Sequence, residues 1–172
     1  MALRAADDRP GLRMTYLDGV LEIMSPSDRH ELDKTLIARL LEAYAEERGL
    51  YMDGYGSTTY RKKAKQAGLE PDECYVFGEA QGRPDLALEV AVSSGTIDKL
   101  EVYRRLGVPE VWVWGRGRFR VFALGRGGYT EVVTSRFLQE LDLAALGEIV
   151  KRAGGRKQTE VVRAFRKSLQ GG

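Results

Sequence analysis

The stretch LALEVAV, Leu86 to Val92, constrains the fold more than any other part of the chain. Its nearly unbroken apolar character predicts a strand buried on both faces, and such strands sit at the centre of sheets with parallel neighbours and helical cover. Glu89 stands in the middle of it. A carboxylate in that position is costly unless something pairs with it or binds it.

The flanking sequence supplies the cover. Ile97 to Leu106 reads as a helix, with Thr96 as its cap and Gly107 and Pro109 stopping it. Val111 to Trp114 (VWVW) is a second buried strand, with Trp112 and Trp114 filling core on one face and the valines on the other. Upstream, MTYLDGVLEIMS (Met14 to Ser25) predicts a hairpin turning at Asp18-Gly19. Ser27 or Asp28 then caps a helix whose apolar face is Leu32, Leu36, Ile37, Leu40, Leu41 and Tyr44, and Gly49 ends it. Leu50 to Arg61 has a β-type composition broken by glycines, Lys62 to Leu69 reads as a loop, and Glu73 to Phe77 as a short strand. Arg118 to Leu124 and Tyr129 to Thr134 form another hairpin, and Asp142 to Arg152 and Thr159 to Leu169 read as helices. The fold class is α/β, with a mixed sheet flanked by helices.

Composition removes several functions. Cys74 and His30 are the only cysteine and histidine among 172 residues. That excludes an internal disulfide and a zinc site of four cysteines, or of two cysteines and two histidines, within one chain. No apolar run approaches the ~20 residues that span a bilayer, and the charged start lacks a signal-peptide core. The expectation is a cytoplasmic protein without a membrane partner. The net charge is only +2, yet it is uneven. Residues 150–172 carry Lys151, Arg152, Arg156, Lys157, Arg163, Arg166 and Lys167 against Glu160 alone. Arg61, Lys62, Lys63 and Lys65 form a second cluster, and Arg116, Arg118, Arg120 and Arg126 surround the later hairpin. Such clusters are either solvated surface or contacts for a polyanion.

Glu89 has two readings. In one it forms a structural ion pair with Lys99, in the first turns of the following helix. In the other a second acid joins it. Asp72 lies at the mouth of the strand Glu73 to Phe77, which the turn at Gly78 to Arg83 brings beside Leu86 to Val92. Neighbouring strands are ~4.8 Å apart, so the two carboxylates approach one another and repel unless a hard cation lies between them. Mg2+ suits oxygen ligands and retains waters. Asp85 shares a face with Glu89 but lies ~13 Å along the strand, so it is assigned to the turn. His30, near a helix start, is a surface or capping residue, or else a phosphate contact or proton shuttle. Tyr103, one helical turn after Lys99, packs or reaches toward the acids. Cys74 reads as a small core residue.

These residues resemble the PD-(D/E)XK nuclease superfamily and, within it, the Uma family of restriction-endonuclease-like proteins. The resemblance runs over about residues 14–135, through DGVLEIMSPSDRHE (Asp18 to Glu31), GSTTY (Gly56 to Tyr60), EPDECYVFG (Glu70 to Gly78) and RPDLALEVAVSSGTIDKLEVYRRLGVPEVWVW (Arg83 to Trp114). It implies a restriction-endonuclease-like domain over residues 1–150 and a basic helical tail over 151–172, packed on that domain or extending it. Asp72 becomes the motif aspartate and Glu89 the second acid. The usual E-x-K lysine would fall at position 91, where this chain has Ala91; in this family it is displaced onto the next helix, here Lys99. A first-helix glutamate adds a ligand in many superfamily members, which makes Glu31 a candidate, with Glu22 the other and His30 beside them. The implied activity is a Mg2+-dependent endonuclease, with Mn2+ as a substitute, that hydrolyses DNA phosphodiester bonds. Asp72 and Glu89 hold the metal, Lys99 acts electrostatically, and Arg61, Lys62, Lys63 and Lys65 hold the nucleic acid of a homodimeric enzyme. The alternative is a catalytically silent nuclease fold that binds DNA or a protein partner.

Overall fold

The computed structural model describes residues 12–91 and 97–171. The first hairpin joins β1 (Arg13–Leu17) to β2 (Val20–Met24) through Asp18 and Gly19, both at positive φ. Aspartate and glycine tolerate that conformation and so make the tight turn. β1 also pairs antiparallel with β5 (Ala67–Leu69), which pairs in turn with β4 (Tyr60–Lys62), giving a four-stranded antiparallel sheet of order β2-β1-β5-β4. The segment 62–69, expected as a loop, therefore ends in a strand after a short 3-10 turn at Lys63–Lys65. Only Ala67 and Leu69 point into the core from it, too few positions to show a period of two in the sequence. β4 passes close to Gly68: a Cβ there would lie 3.0 Å from Arg61 Cβ and 3.2 Å from the Tyr60 carbonyl, tighter than ordinary contact.

The second sheet has six strands, ordered β10 (Gly128–Val132), β9 (Arg118–Gly125), β8 (Glu110–Gly115), β7 (Leu86–Val90), β6 (Glu73–Val76) and β3 (Asp53–Gly54). Only β7 and β8 run parallel, and α2 (Lys99–Leu106) lies between them in sequence, as a parallel pair requires. The buried run ends at Val90; Val92, Ser93, Ser94, Gly95 and the expected cap Thr96 lie outside the described residues. α2 starts at Lys99 rather than Ile97 because Asp98 caps it, accepting from the N–H groups of Leu100 and Glu101.

The alternation along the central strands puts a core on each face of this sheet. On one face Leu86, Leu88, Trp112 and Trp114 meet Leu36, Ile37, Leu40 and Leu41 of α1 (Asp28–Arg48), with α3 (Leu143–Arg152) and α4 (Gln158–Gln170) completing the layer. On the other, Ala87 and Val111 meet Val102, Tyr103 and Leu106 of α2 and Leu69 of the small sheet. Each fully buried leucine, isoleucine or valine among these contributes roughly 1.5–3 kcal/mol. Ser27 caps α1 and Gly49 closes it in the left-handed conformation. Leu32, expected on the apolar face, is instead 58% exposed; its carbonyl accepts from Gln158 Nε2 of α4 at 3.1 Å.

The basic tail is partly neutralised. Val161, Val162 and Phe165 of α4 are buried, and Arg166 pairs with Glu46 and Glu47 of α1. Arg120 pairs with Glu131 across the β9–β10 hairpin. Among the described residues no helix is long and apolar enough to cross a membrane.

Candidate active site

β6 and β7 bring the two acids together. Their antiparallel register pairs Glu73 with Leu88, and one further step sets Asp72 opposite Glu89. Both are buried, at 1% and 5% exposure. The Val90 N–H donates to Asp72 Oδ2 at 2.7 Å, which ties the aspartate to the strand of its partner. His30 Nε2 meets the same oxygen at 3.0 Å. Arg13 Nε lies 3.9 Å from Oδ1. Burial pushes the Asp72 carboxyl up, but the bonds from His30 and Val90 and the charges of His30 and Lys99 outweigh it and hold the group below the usual carboxylate range.

Glu89 is held from α2. Lys99 Nζ donates to Oε2 at 2.6 Å, and the Tyr103 hydroxyl donates to Oε1. Lys99 and Tyr103, four residues apart, lie on one face of the helix. Burial raises the Glu89 carboxyl; Lys99 opposes that, and the Asp72 charge adds to it. Burial works against the Lys99 ammonium, but the Glu89 charge and hydrogen bond prevail and keep it protonated. The tyrosine, left open between packing and reaching, does both: it is buried and bonded to the acid.

A cavity of about 340 Å³ opens beside this group, lined by Glu22, His30, Glu89, Ala91, Lys99 and Tyr103 among others. Asp72 lies behind that lining and touches it through His30 and Val90. Of the two glutamates left as alternatives, Glu22 faces the cavity, where its Oε2 accepts from the Ile97 N–H at 3.3 Å. Glu31 is partly exposed, pairs with Lys34 at 2.6 Å and meets the site only through His30 Nδ1 at 3.3 Å. His30 is neither a surface residue nor a cap through its side chain: it is 2% exposed, because the first turn of α1 packs over the end of β6 and β7. Asp85 spans the turn as expected, accepting from the Phe77 N–H at 2.9 Å. Cys74 is buried.

The donor set suits Mg2+. Two carboxylates supply hard oxygens, and this ion keeps waters in its remaining positions. Among the described residues no group of three or more His, Cys, Asp or Glu side chains is placed to hold a metal ion together, so the acid pair is the whole protein donor set. Both hydrogen bonds that described residues make to Asp72 fall on Oδ2, which leaves Oδ1 the less committed oxygen.

Arg61, Lys62, Lys63 and Lys65 are exposed on β4 and the turn after it, at the edge of the small sheet opposite β2. Lys62 is committed to the Leu106 carbonyl at 2.9 Å. A shallow hollow beside them, between Asp18, Lys65 and Arg105, is crossed by the Arg105–Asp18 pair at 2.6 Å and holds no acid pair. Sequence reasoning did not single out Arg13, nor Asp98 as the cap of α2. An aspartate directly before a helix was a readable cap signal, whereas nothing in the sequence marks one arginine on a short strand.

The family model described as "Putative restriction endonuclease", Uma2, matches residues 2–152. The crystal structure of a "putative nuclease belonging to DUF820" from Anabaena variabilis superposes with a TM-score of 0.57 at 12% identity, covering 78% of this chain and 90% of that one. A protein named adenine deaminase from Lactiplantibacillus plantarum is 31% identical over 101 residues, 56% of this chain. That stretch is 18% of the deaminase, so the two share only a segment.

Proposed function

Since the chain belongs to the Uma2 family, we propose that it is a Mg2+-dependent endonuclease that hydrolyses phosphodiester bonds of DNA. The observation that supports this most is the buried pair Asp72 and Glu89, with the Lys99 ammonium 2.6 Å from Glu89, at the side of an open cavity. Asp72 and Glu89 would hold the ion. When bound, it supplies Lewis-acid stabilisation of phosphate charge and a water of lowered pKa.

The chain's own groups do the rest. Lys99 keeps its proton and so serves as a fixed positive charge facing the charge that develops on the phosphate, rather than as a general base. Tyr103 and Lys99 together fix the orientation of Glu89. Glu22 adds a negative wall to the cavity. Arg61, Lys63 and Lys65 offer exposed cations to the DNA backbone. Cutting both strands is simplest for a symmetric homodimer with one site per subunit, and such an enzyme acts in the cytoplasm.

One observation favours a second reading, a silent nuclease fold that binds DNA or a protein. Both oxygens of Glu89 already accept hydrogen bonds, and Asp72 lies behind the cavity lining.

Cleavage of supercoiled plasmid and short single strands separates the two. Wild type, Asp72→Ala and Lys99→Ala are compared with Mg2+, Mn2+ or EDTA. Metal-dependent cutting lost in both variants is the expected result. Cutting that survives both substitutions overturns the site, and no cutting together with no Mn2+ binding moves the assignment to the silent module.

A further inference from the structure

We propose that His30 is a positioning residue for Asp72: its Nε2–H, together with the Val90 N–H, pins Oδ2 and so fixes how the carboxylate is presented to a cation. The cation in this statement rests on the metal-dependent reading above; the hydrogen bond does not.

A carboxylate on a short side chain turns easily, because its terminal torsion is broad. One donor leaves that rotation partly free, and two donors on the same oxygen remove most of it. Here the Val90 N–H reaches Oδ2 at 2.7 Å and His30 Nε2 reaches it at 3.0 Å. Among the described residues the cation facing Oδ1 is Arg13, whose Nε stands at 3.9 Å, beyond hydrogen-bond reach.

The histidine is itself well held. Its backbone N–H is bound to Ser27 Oγ at 3.3 Å in the cap of α1. Its Nδ1 faces Glu31 Oε1 at 3.3 Å, and Glu31 is held in turn by Lys34 at 2.6 Å. The imidazole side chain is 3% exposed. With a carboxylate oxygen at each ring nitrogen, turning the ring over would lose both contacts. The row Lys34, Glu31, His30, Asp72 thus links a partly exposed ion pair to the buried acid. Partners of this kind, one shell behind a ligand, are worth about 10–100-fold in metal affinity. Glu31 then matters as the group that steadies His30.

Two measurements test this. His30 is the only histidine in the chain, so its imidazole gives one set of signals in a 1H–15N spectrum. The expected spectrum at neutral pH has a protonated, slowly exchanging Nε2 whose shift moves in Asp72→Asn. An unprotonated Nε2 overturns the proposal. The second measurement is Mn2+ affinity by electron paramagnetic resonance for His30→Gln, His30→Asn and His30→Ala. The glutamine amide can place an N–H where Nε2 stands, whereas the asparagine amide mimics Nδ1. His30→Gln should retain most of the affinity, and the other two should lose about 10–100-fold while keeping folded spectra. Wild-type affinity in His30→Ala, or equal loss in His30→Gln and His30→Ala, overturns the proposal. A wild type that binds no Mn2+ removes the metal-dependent reading instead, and the imidazole spectrum still decides the His30–Asp72 bond.

Discussion

Lys99 Nζ lies 2.6 Å from Glu89 Oε2, joining the first residue of a helix to the end of the most buried strand. Breaking a buried pair from one side leaves an uncompensated charge and typically costs ~3–5 kcal/mol. Lys99→Met should therefore lower the unfolding free energy in urea by that amount. The double variant Glu89→Gln with Lys99→Met should recover more than half of the loss, because no charge is then stranded. Equal losses in the single and double variants would mean that the ion pair contributes little.

Tyr103→Phe removes only a hydroxyl. Hydrogen bonds to charged groups are worth about 1.5–3 kcal/mol, and this one ends on a buried carboxylate. A loss of unfolding free energy in that range, read from urea unfolding as a lower midpoint, is expected, smaller than the effect of Lys99→Met. An unchanged midpoint would show that water replaces the phenol.

The pH dependence of stability has a sign that His30 sets. The Asp72 hydrogen bond, against the opposing effect of burial, raises the imidazole above its ordinary value. A group raised in the folded state gives its full stabilisation below its unfolded pKa, about 6.5. That share is lost as pH rises through the higher folded value. Asp72 is held low, so its share is whole above about pH 4 and is lost as pH falls through its folded value. Wild type minus His30→Gln should thus show a stability difference that shrinks above about pH 6.5; a difference that grows there would contradict the His30–Asp72 contact. Glu89, raised by burial, is common to both proteins and cancels.

DNA binding should report on the β4 edge through salt. Each phosphate neutralised contributes about −0.9 to the slope of log affinity against log salt. Replacing Lys63 and Lys65 with alanine should make the slope less negative by about 1.8 without changing sequence preference. Lys62→Ala should matter less for binding, since that ammonium is already bound to the Leu106 carbonyl. An unchanged slope in the Lys63 and Lys65 variant would place the DNA elsewhere.

Strong local signals were readable in the sequence. The apolar run at Leu86, the Asp18-Gly19 turn and the i, i+4 face of α1 each follow from one short stretch of chain. The approach of Asp72 to Glu89 could also be reasoned out, because a single turn joins their strands. What could not be read depended on distant packing. Ala67 and Leu69 make a strand only because β1 offers an edge to them. His30 becomes buried only because the start of α1 lies over Asp72, 42 residues on. Glu22 and Glu31 look equivalent in sequence, and only the placement of β2 against the cavity separates them.

The two sheets divide the cavity between them. The acids and the cover of α2 belong to the six-stranded sheet, whereas Glu22 and Met24 at the cavity come from the hairpin of the four-stranded one. Substitutions in that hairpin can reshape what enters without touching the register that sets Asp72 opposite Glu89. The six-stranded sheet thus carries the acid pair, and the hairpin supplies the opposite wall of the cavity while its strand β1 sets Arg13 beside Asp72. A hairpin exchanged between related chains would be expected to carry substrate preference with it.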